Sequence, residues 1–402
     1  MRTLILFLFF AIGLLNFSLE AQEVMLSEEA DISILTIGPG SSLNDAFGHN
    51  AFRVKDPMRG IDIIYDYGRY DFETPNFYLK FAQGKLLYEM GSNNFEPFLN
   101  YYKRQDRWVK EQVLALEAEE KKELFGFLQN NALPENKKYK YDFFYDNCAT
   151  RIRDVLITAL DEKVNYSPDF ISETKTFRQL IQQNVYANSW GSLGMDVAIG
   201  SVTDVEANAW QHQFLPEYVF EAAAVASFNR NGQTIPLVKE TRILYQNELE
   251  AAAPNFFMSP LFVFSLLGLI IVWITYRDKK NNTRSRYLDS ILFLTTGLIG
   301  IFLILLWFAT DHSATANNYN VLWAFPFSIL FFIAIGKKKP KKWLHRYVVF
   351  LVLLMVLMVL HSLTGVQQFA IGFIPLFIAL AVRYLYVISY LKRQNLAPIA
   401  EA

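Results

Sequence analysis

The chain has 402 residues and a formal net charge of −1, which excludes the bulk basic field of a nucleic-acid-binding protein. Hydrophobic residues make up 52% and aromatic residues 16% of the sequence, more than a soluble protein usually carries. This excess lies at the N-terminus and in the last third, so the composition predicts an integral membrane protein with a globular middle segment.

The N-terminal segment has the pattern of a secretory signal peptide. Arg2 precedes a long apolar run that ends near the small residue Ala21. We predict a signal peptide over residues 1–21, with an uncleaved membrane anchor as the alternative. No cysteine stands directly after the run, so the protein is not expected to be a lipoprotein itself.

Residues 22–254 have a globular composition and are predicted to form an α+β catalytic domain outside the cytoplasm. Apolar and polar residues alternate from His49, the stretch DPMRG is typical of a turn, and IDIIYDYG predicts a returning strand. The residue opposite His49 should fall near Tyr65 to Tyr67, which makes Asp66 the candidate to orient the imidazole. A slip of one residue in the register would turn Asp66 to the other face.

The stretch YDNCATRIR contains Cys148, the only cysteine of the chain. A lone thiol in an exported protein is either buried and inert or kept for its reactivity. Asp146 and Asn147 are good N-cap residues, and the apolar residues that follow recur at helical spacing. Cys148 is therefore predicted in the first turn of an amphipathic helix, where the helix N-terminus, Arg151 and Arg153 favour a thiolate.

A thiolate nucleophile commonly works with a histidine, and the chain has five. His345 and His361 lie in or beside apolar stretches, whereas His49, His212 and His312 are expected outside the membrane. His49 is the best candidate base, because it begins a strand directly after a glycine. A purely structural role for this histidine is the alternative.

After Pro254 the sequence becomes that of a membrane domain. Five apolar stretches approach or reach the ~20 residues of a spanning helix, near 257–276, 288–308, 320–336, 347–363 and 369–390. The third is the shortest and contains Pro326. The basic loops RDKKNNTRSR and KKKPKKWLHR are expected in the cytoplasm. We therefore predict a transmembrane bundle of about five helices over 255–393, a cytoplasmic tail over 394–402, and residues 22–254 on the outer side of the membrane.

Several motifs together resemble a known family. The stretches GPGSSLNDAFGHNAFRV, DYGRYDFETPNFYLKFAQGKLLYEM, YDNCATRIRD and WQHQFLPEYV are similar to the periplasmic domain of the Lnb-type lipoprotein N-acyltransferases of Bacteroidota, and TDHSATANNYNVLWAFP is similar to the membrane part of that family. The resemblance implies a location in the bacterial inner membrane with the N-terminal domain in the periplasm, and thiol chemistry by Cys148 and His49. It implies that a fatty acyl chain moves from a membrane phospholipid, through a thioester on Cys148, to the N-terminal amine of a diacylated lipoprotein.

A more distant similarity concerns the fold. A histidine on a strand, followed by Asn-Cys at the start of a helix, resembles the permuted NlpC/papain-like thiol enzymes, which include lecithin:retinol acyltransferase. Here Ala149 and Thr150 replace the Glu-His that follows the cysteine in that enzyme. Two alternatives stay open: a thiol peptidase or amidase acting on peptidoglycan, and a non-catalytic membrane-tethered assembly protein.

The remaining motifs bear on ligands. The sequence has no zinc-ligand spacing, and GPGSSL lacks the lysine and helix of a P-loop, so no metal or cofactor is expected. The N–H of Cys148 and the side chain of Asn147 are candidate oxyanion donors, and Arg69 and Lys80 are candidate phosphate contacts. The outer loop with His312, Asn317, Asn318 and Asn320 is a candidate lipid or lipoprotein contact. The aromatic stretches around residues 65–90 either face lipid or fill a core.

Overall fold

The computed structural model describes residues 25–161, 163–230, 232–248 and 255–396. The predicted signal peptide over 1–21 and most of the predicted cytoplasmic tail lie outside the described residues. Two bodies follow one another along the chain: a sheet-rich N-terminal domain and a C-terminal region built of helices. The expected fold class, an α+β domain followed by a membrane-type helical bundle, is confirmed.

The N-terminal domain is organised around one antiparallel sheet of seven strands, in the order β12-β5-β1-β2-β3-β4-β6. Two smaller sheets, β11-β10-β7 and β8-β9, lie outside it. The strands are β1 Asp31–Ile37, β2 His49–Asp56, β3 Ile61–Arg69, β4 Leu87–Asn94, β5 Val109–Leu114, β6 Lys138–Lys140, β7 Val164–Asn165, β8 Lys175–Thr176, β9 Glu206–Ala207, β10 Ser227–Arg230, β11 Gln233–Pro236 and β12 Val238–Tyr245.

Helices cover both faces of the large sheet. Those of the domain are α1 Phe77–Ala82, α2 Phe95–Arg104, α3 Ala118–Asn131, α4 Cys148–Ala159, α5 Phe177–Asn184, α6 Trp190–Ala198, α7 Ala209–His212 and α8 Pro216–Val225. One face of the sheet packs its alternate residues against α3, α4 and α8, with Phe52 and Ile152 fully buried. The other face packs against α2, where Ala51 and Ile64 meet Phe98. This period-2 alternation across β2 and β3 is what the sequence pattern predicts for strands.

The C-terminal region contains α9 Pro260–Lys280, α10 Arg286–Phe308, α11 Ser328–Ile335, α12 Trp343–Leu363 and α13 Ile374–Leu396. Four segments of the described chain are helical, long and apolar enough to cross a membrane; they correspond to α9, α10, α12 and α13. The third predicted stretch, 320–336, is not a helix of spanning length. It forms a 3₁₀ turn at Tyr319–Leu322 and then the short α11.

This third stretch still runs from one end of the bundle to the other. At its start, Asn318 and Asn320 contact the N-terminal domain, and at its end Arg284 donates to the carbonyls of Ile335 and Lys337. Its non-helical middle packs on α10, where a Cβ at Gly297 or Gly300 would collide with the backbone of residues 324–329. Irregular backbone at membrane depth requires such burial against protein.

A buried charge network ties the helices together at the end of the bundle away from the domain. Arg383 on α13 donates to Asp289 on α10 at 2.7 Å and to Asp278 on α9 at 2.7 Å, and Arg284 bonds to Asp289 at 3.2 Å. All four side chains are at most 3% exposed. Removing one partner of such a network leaves an uncompensated buried charge, so the four residues fix the relative positions of three helices.

The outer loop between α10 and α11 docks on the N-terminal domain through many polar contacts. Asn318 donates to the carbonyls of Val197 and Ala198 at 2.8 and 3.0 Å, and Asn320 donates to that of Asp196 at 3.0 Å. Both asparagines are buried. The proposed role of Asn318 and Asn320 in binding lipid or lipoprotein is therefore wrong, because their amides hold the two bodies together.

Candidate active site

Cys148 is the first residue of α4, and the cap of this helix sets its position. The side chain of Asn147 accepts from the N–H groups of Ala149 and Thr150 at 2.8 and 2.9 Å, and Thr150 accepts from the N–H of Asn147. This reciprocal capping box begins the helix at the residue that the sequence indicates. Cys148 is half-buried, because it packs against the core on one side and lines a cleft on the other.

The capping arrangement leaves the amide of Asn147 no free donor. Its Nδ2 donates to the carbonyls of Phe143 and Phe214 at 2.7 and 2.8 Å. The suggestion that this side chain stabilises an oxyanion is therefore wrong. The N–H of Cys148 itself has no acceptor among the described residues and stands in the first turn, where helix N–H groups are unsatisfied.

Arg151 and Arg153 do not supply free positive charge to the thiol. Arg151 forms a two-bond ion pair with Asp146 and lies 4.0 Å over the ring of Tyr139. Arg153 pairs with Asp154 at 2.7 Å and lies over the ring of Trp210. The expectation that these guanidinium groups favour a thiolate at Cys148 is therefore not supported. The groups that face the thiol come from the sheet.

His49 and Asp66 lie on the same face of neighbouring strands. The ladder pairs Ala51 with Asp66, which makes Asp66 the diagonal neighbour of His49 instead of the residue directly opposite. A shift of two residues keeps the face, so the two side chains still meet, with 3.1 Å between His49 Nε2 and Asp66 Oδ2. Because Nε2 bonds to Asp66, Nδ1 is the ring nitrogen left for the thiol.

Strand β3 is irregular where it passes the cysteine. The pairing with β4 shifts between Asp66 and Arg69, and Gly68 between them has φ +92°, a conformation that favours glycine. A Cβ at Gly68 would lie 3.5 Å from the Cβ of Cys148, an ordinary contact, so the backbone conformation and not the space favours glycine here. The same irregularity returns Arg69 to Asp66, with Nε donating to Oδ1 at 2.8 Å. Arg69 is thus engaged by a carboxylate, not free for a phosphate.

The charges around His49 favour its protonated form. Burial lowers the pKa of His49, but Tyr102, the thiol of Cys148 and the carboxylate of Asp66 raise it, and the net pKa lies well above its usual value. Cys148 is one of the groups that raise this pKa, and the thiol and the ring line the same cleft. Burial raises the pKa of Tyr102, whose ring centroid lies 6.5 Å from that of His49.

The pKa of Asp66 is shifted in the opposite direction to that of His49. Burial raises the pKa of Asp66, but its bonds to His49 and Arg69 lower it more, and the net pKa is below the usual value. Asp66 is 7% exposed and stays ionised between one imidazolium and one guanidinium. His49, Asp66 and Arg69 therefore form a continuous chain of alternating charges.

Two of the site residues, Cys148 and His49, line a cleft of about 730 Å³. This volume lies within the range of roughly 300–1,000 Å³ that ligand pockets have. One wall of the cleft is aromatic and consists of Tyr70, Phe72, Phe77, Tyr78, Phe81, Tyr88, Tyr141 and Phe143. Another wall is the outer loop of the helical region, with Asp311, His312, Ser313 and Ala314. The cleft therefore lies between the N-terminal domain and the helical bundle.

Tyr141 is a functional candidate that the sequence alone did not indicate. Its ring stacks on Tyr88 with 4.3 Å between centroids, and its edge lies 4.0 Å from the position of a Gly68 Cβ, beside Cys148. Burial and, to a smaller extent, the neighbouring Cys148 raise the pKa of Tyr141 well above its usual value. The hydroxyl of Tyr141 therefore stays a neutral hydrogen-bond donor. No sequence signal separates this tyrosine from the other twenty, because its role depends on the fold.

The other histidines lie away from the Cys148 thiol. His212 is fully buried and its Nδ1 bonds to the carbonyl of Asn208 at 2.9 Å. His312 lines the rim of the cleft, where its Nε2 donates to the carbonyl of Phe81 at 3.1 Å. Among the described residues, no group of three or more His, Cys, Asp or Glu side chains is placed to hold a metal ion.

Two family models match the chain in the order of its two bodies. The Lnb N-terminal periplasmic domain matches residues 20–183, and the Lnb transmembrane domain matches residues 252–395. The chain belongs to the Lnb family. This Lnb protein is a membrane protein with a periplasmic N-terminal domain, and family membership suggests an enzyme role related to lipoprotein processing. No curated protein and no solved structure matches the chain.

Proposed function

We propose that this Lnb protein is a lipoprotein N-acyltransferase of the bacterial inner membrane. Its acyl donor is a membrane phospholipid and its acceptor is the N-terminal amine of a diacylated lipoprotein. The observation that carries the proposal is the position of Cys148. The thiol shares with His49, whose ring bonds to Asp66, a cleft with aromatic walls that is bounded by the outer loop of the membrane bundle.

The first step is attack of the Cys148 thiolate on a phospholipid ester. The raised pKa of His49 favours a thiolate–imidazolium pair, so His49 begins this step as an acid. The sulfur–acyl bond forms, the ester C–O bond breaks, and the imidazolium gives its proton to the leaving glycerol oxygen. The products are a thioester on Cys148 and a lysophospholipid. This order refines the expectation that His49 acts first as a base.

The second step transfers the acyl chain to the acceptor. Neutral His49 takes a proton from the attacking amine, the carbon–nitrogen bond forms, and the thiolate of Cys148 leaves. The imidazolium–thiolate pair is thereby restored. In both steps a negative charge develops on the carbonyl oxygen, and the N–H of Cys148 and the hydroxyl of Tyr141 are the donors we assign to it.

The proposed reaction explains why the N-terminal domain is joined to a membrane bundle. Each CH₂ group transferred from lipid to water costs about 0.8 kcal/mol, so exposing a sixteen-carbon chain costs on the order of 12 kcal/mol. A cleft that adjoins the bundle and has aromatic walls avoids that exposure. A peptidoglycan peptidase acts on a polar substrate and has no use for such walls, which disfavours this alternative.

The proposal is tested with the purified full chain in phospholipid vesicles and a synthetic diacylated lipopeptide. Mass spectrometry should show one additional amide-linked acyl chain on the lipopeptide and one equivalent of lysophospholipid. Without acceptor, a hydroxylamine-labile acyl group should accumulate on Cys148. Cleavage of muropeptides with unchanged lipopeptide would instead establish the peptidase, and neither reaction would favour the assembly protein.

Replacement of Asp66 by asparagine should lower the rate of thioester formation by about 10–100-fold. Asparagine keeps the shape of the side chain but removes the charge that raises the pKa of His49. The imidazolium should then lose its proton at lower pH, so the alkaline limb of the pH–rate profile moves to lower pH. Single-turnover rates between pH 6 and about 10 measure this shift.

The matched control is Asp62→Asn on the same strand. Asp62 forms an ion pair with Arg53 at 2.7 Å and does not line the cleft. Its replacement should leave the pH–rate profile in place. An unchanged profile in Asp66→Asn would show that the carboxylate does not act on His49.

A further inference from the structure

An unusual surface of the N-terminal domain lies beside the mouth of the cleft. Five large side chains around the buried Phe77 are 39–81% exposed; these are Tyr70, Phe72, Tyr78, Leu79 and Phe81, which we call the lip. The rings contact one another, with 5.1 Å between the centroids of Tyr70 and Phe72 and 4.8 Å between those of Phe72 and Phe77. A contiguous apolar patch of this kind marks a contact with another apolar phase.

The lip is attached to the end of a membrane helix. α10 ends at Phe308, and three residues later the N–H of Asp311 donates to the carbonyl of Gln83 at 2.8 Å, directly after α1. His312 bonds to the carbonyl of Phe81 at 3.1 Å, and Lys140 pairs with Asp311 at 2.8 Å. Three residues span at most about 11 Å, so the C-terminal end of α1, which carries the lip residue Phe81, is held close to the helix end.

The short connection between α10 and the lip sets the depth of the lip in the membrane. The polar layer on each side of a bilayer is about 5–8 Å thick, so a surface held this close to the end of α10 lies at the level of the headgroups and the first acyl carbons. The composition of the lip fits that level, since aromatic side chains are enriched there and the adjacent Lys80 and Lys85 suit lipid phosphates.

The lip also forms part of the cleft wall. Tyr70, Phe72, Tyr78 and Phe81 are exposed at the surface and line the cavity that contains Cys148. An apolar surface therefore continues from the outside of the domain to the reactive thiol. An acyl chain that follows this surface does not cross water.

From this continuity we infer that the lip is immersed in the outer leaflet and is the lateral entrance through which a phospholipid acyl chain reaches Cys148. The entrance rests on the proposed function, whereas the immersion of the lip does not. The occupant of the surface is the lipid bilayer itself, not another protein.

The immersion is tested with single-cysteine variants of the full chain, made in a Cys148→Ser background and reconstituted in vesicles. Tyr78→Cys carries a fluorophore on the lip. Met58→Cys is the matched control: it is also exposed, at 69%, and lies in the turn at the end of β2 opposite to His49. Lipids brominated near the carbonyl end of the acyl chain should quench most of the fluorescence at position 78 and almost none at position 58.

Equal quenching at the two positions would overturn the inference, whatever the enzyme activity. The entrance is tested separately with Phe72→Ser and Tyr78→Ser in the Cys148 protein. Both should slow thioester formation from vesicle phospholipid by about tenfold or more, since each removes an aromatic ring from the apolar surface that joins the bilayer to Cys148. The loss should be much smaller with a monomeric short-chain phospholipid, which does not have to leave a bilayer. An equal loss with both donors would contradict the entrance and leave the transferase proposal standing.

Discussion

Replacement of Cys148 by serine is expected to reduce acyl transfer by at least about 10³-fold. Serine differs by a single atom and fits the same space, but its hydroxyl does not ionise beside an imidazolium near neutral pH. The thioester therefore cannot form, and the acceptor amine has no activated acyl group to attack. Vesicle assays with labelled phospholipid should show neither lysophospholipid nor N-acylated lipopeptide.

The Cys148→Ser substitution should not lower the stability of the fold. The capping box of α4 uses the side chains of Asn147 and Thr150, and the sulfur takes no part in it. The thermal unfolding temperature of Cys148→Ser should therefore equal that of the wild type. Asn147→Ala is the structural control, because it removes the cap and should lower stability by about 1–3 kcal/mol. Retained transfer in Cys148→Ser would refute the thiol mechanism.

Replacement of His49 by glutamine is expected to lower both half-reactions by about 10²–10⁴-fold. Glutamine can still donate a hydrogen bond to Asp66, but it neither holds a charge opposite the thiolate nor moves a proton. Rapid-mixing measurements separate thioester formation from thioester consumption, and both rates should fall. His361→Gln is the matched control, since His361 bonds to the carbonyl of Leu357 within α12 and does not line the cleft.

The same substitution should reveal the charge of His49 through stability. A pKa raised in the folded state means that the protonated ring stabilises the fold. This stabilisation is complete below the unfolded pKa of about 6.5 and is lost as the pH rises through the folded pKa. The difference in unfolding free energy between wild type and His49→Gln should therefore shrink on going to alkaline pH. A difference that grows with pH would show that the histidine is buried in its neutral form.

The sequence predicts the parts of the site that local patterns encode. Alternation beginning at His49 indicates a strand, and Asp-Asn before an amphipathic stretch indicates a helix with Cys148 in its first turn. Both signals depend on a few neighbouring residues and do not need the rest of the fold. Asp66 lies on the same face of the sheet as His49, as predicted. The predicted register between the two strands was wrong by two residues, and a shift of two residues keeps each side chain on its face.

The parts that were missed depend on contacts between distant segments. Arg69 reaches Asp66 only because β3 is irregular at Gly68, and no local pattern encodes that irregularity. Asn147 looked like a free amide until Phe143 and Phe214 supplied its acceptors. The broken stretch at 320–336 is apolar enough to be mistaken for a spanning helix, and only packing on Gly297 and Gly300 accounts for its non-helical middle.

The docking of the outer loop on the domain has a consequence for which molecules can react. Asn318, Asn320 and Asp311 join the two bodies at several separate points, so the domain cannot rise or tilt freely above the bilayer. The sulfur of Cys148 is therefore held at a fixed height along the membrane normal. Only esters and amines held near the glycerol level of the leaflet match that height, which would spare both free fatty esters in the periplasm and the amino termini of soluble proteins.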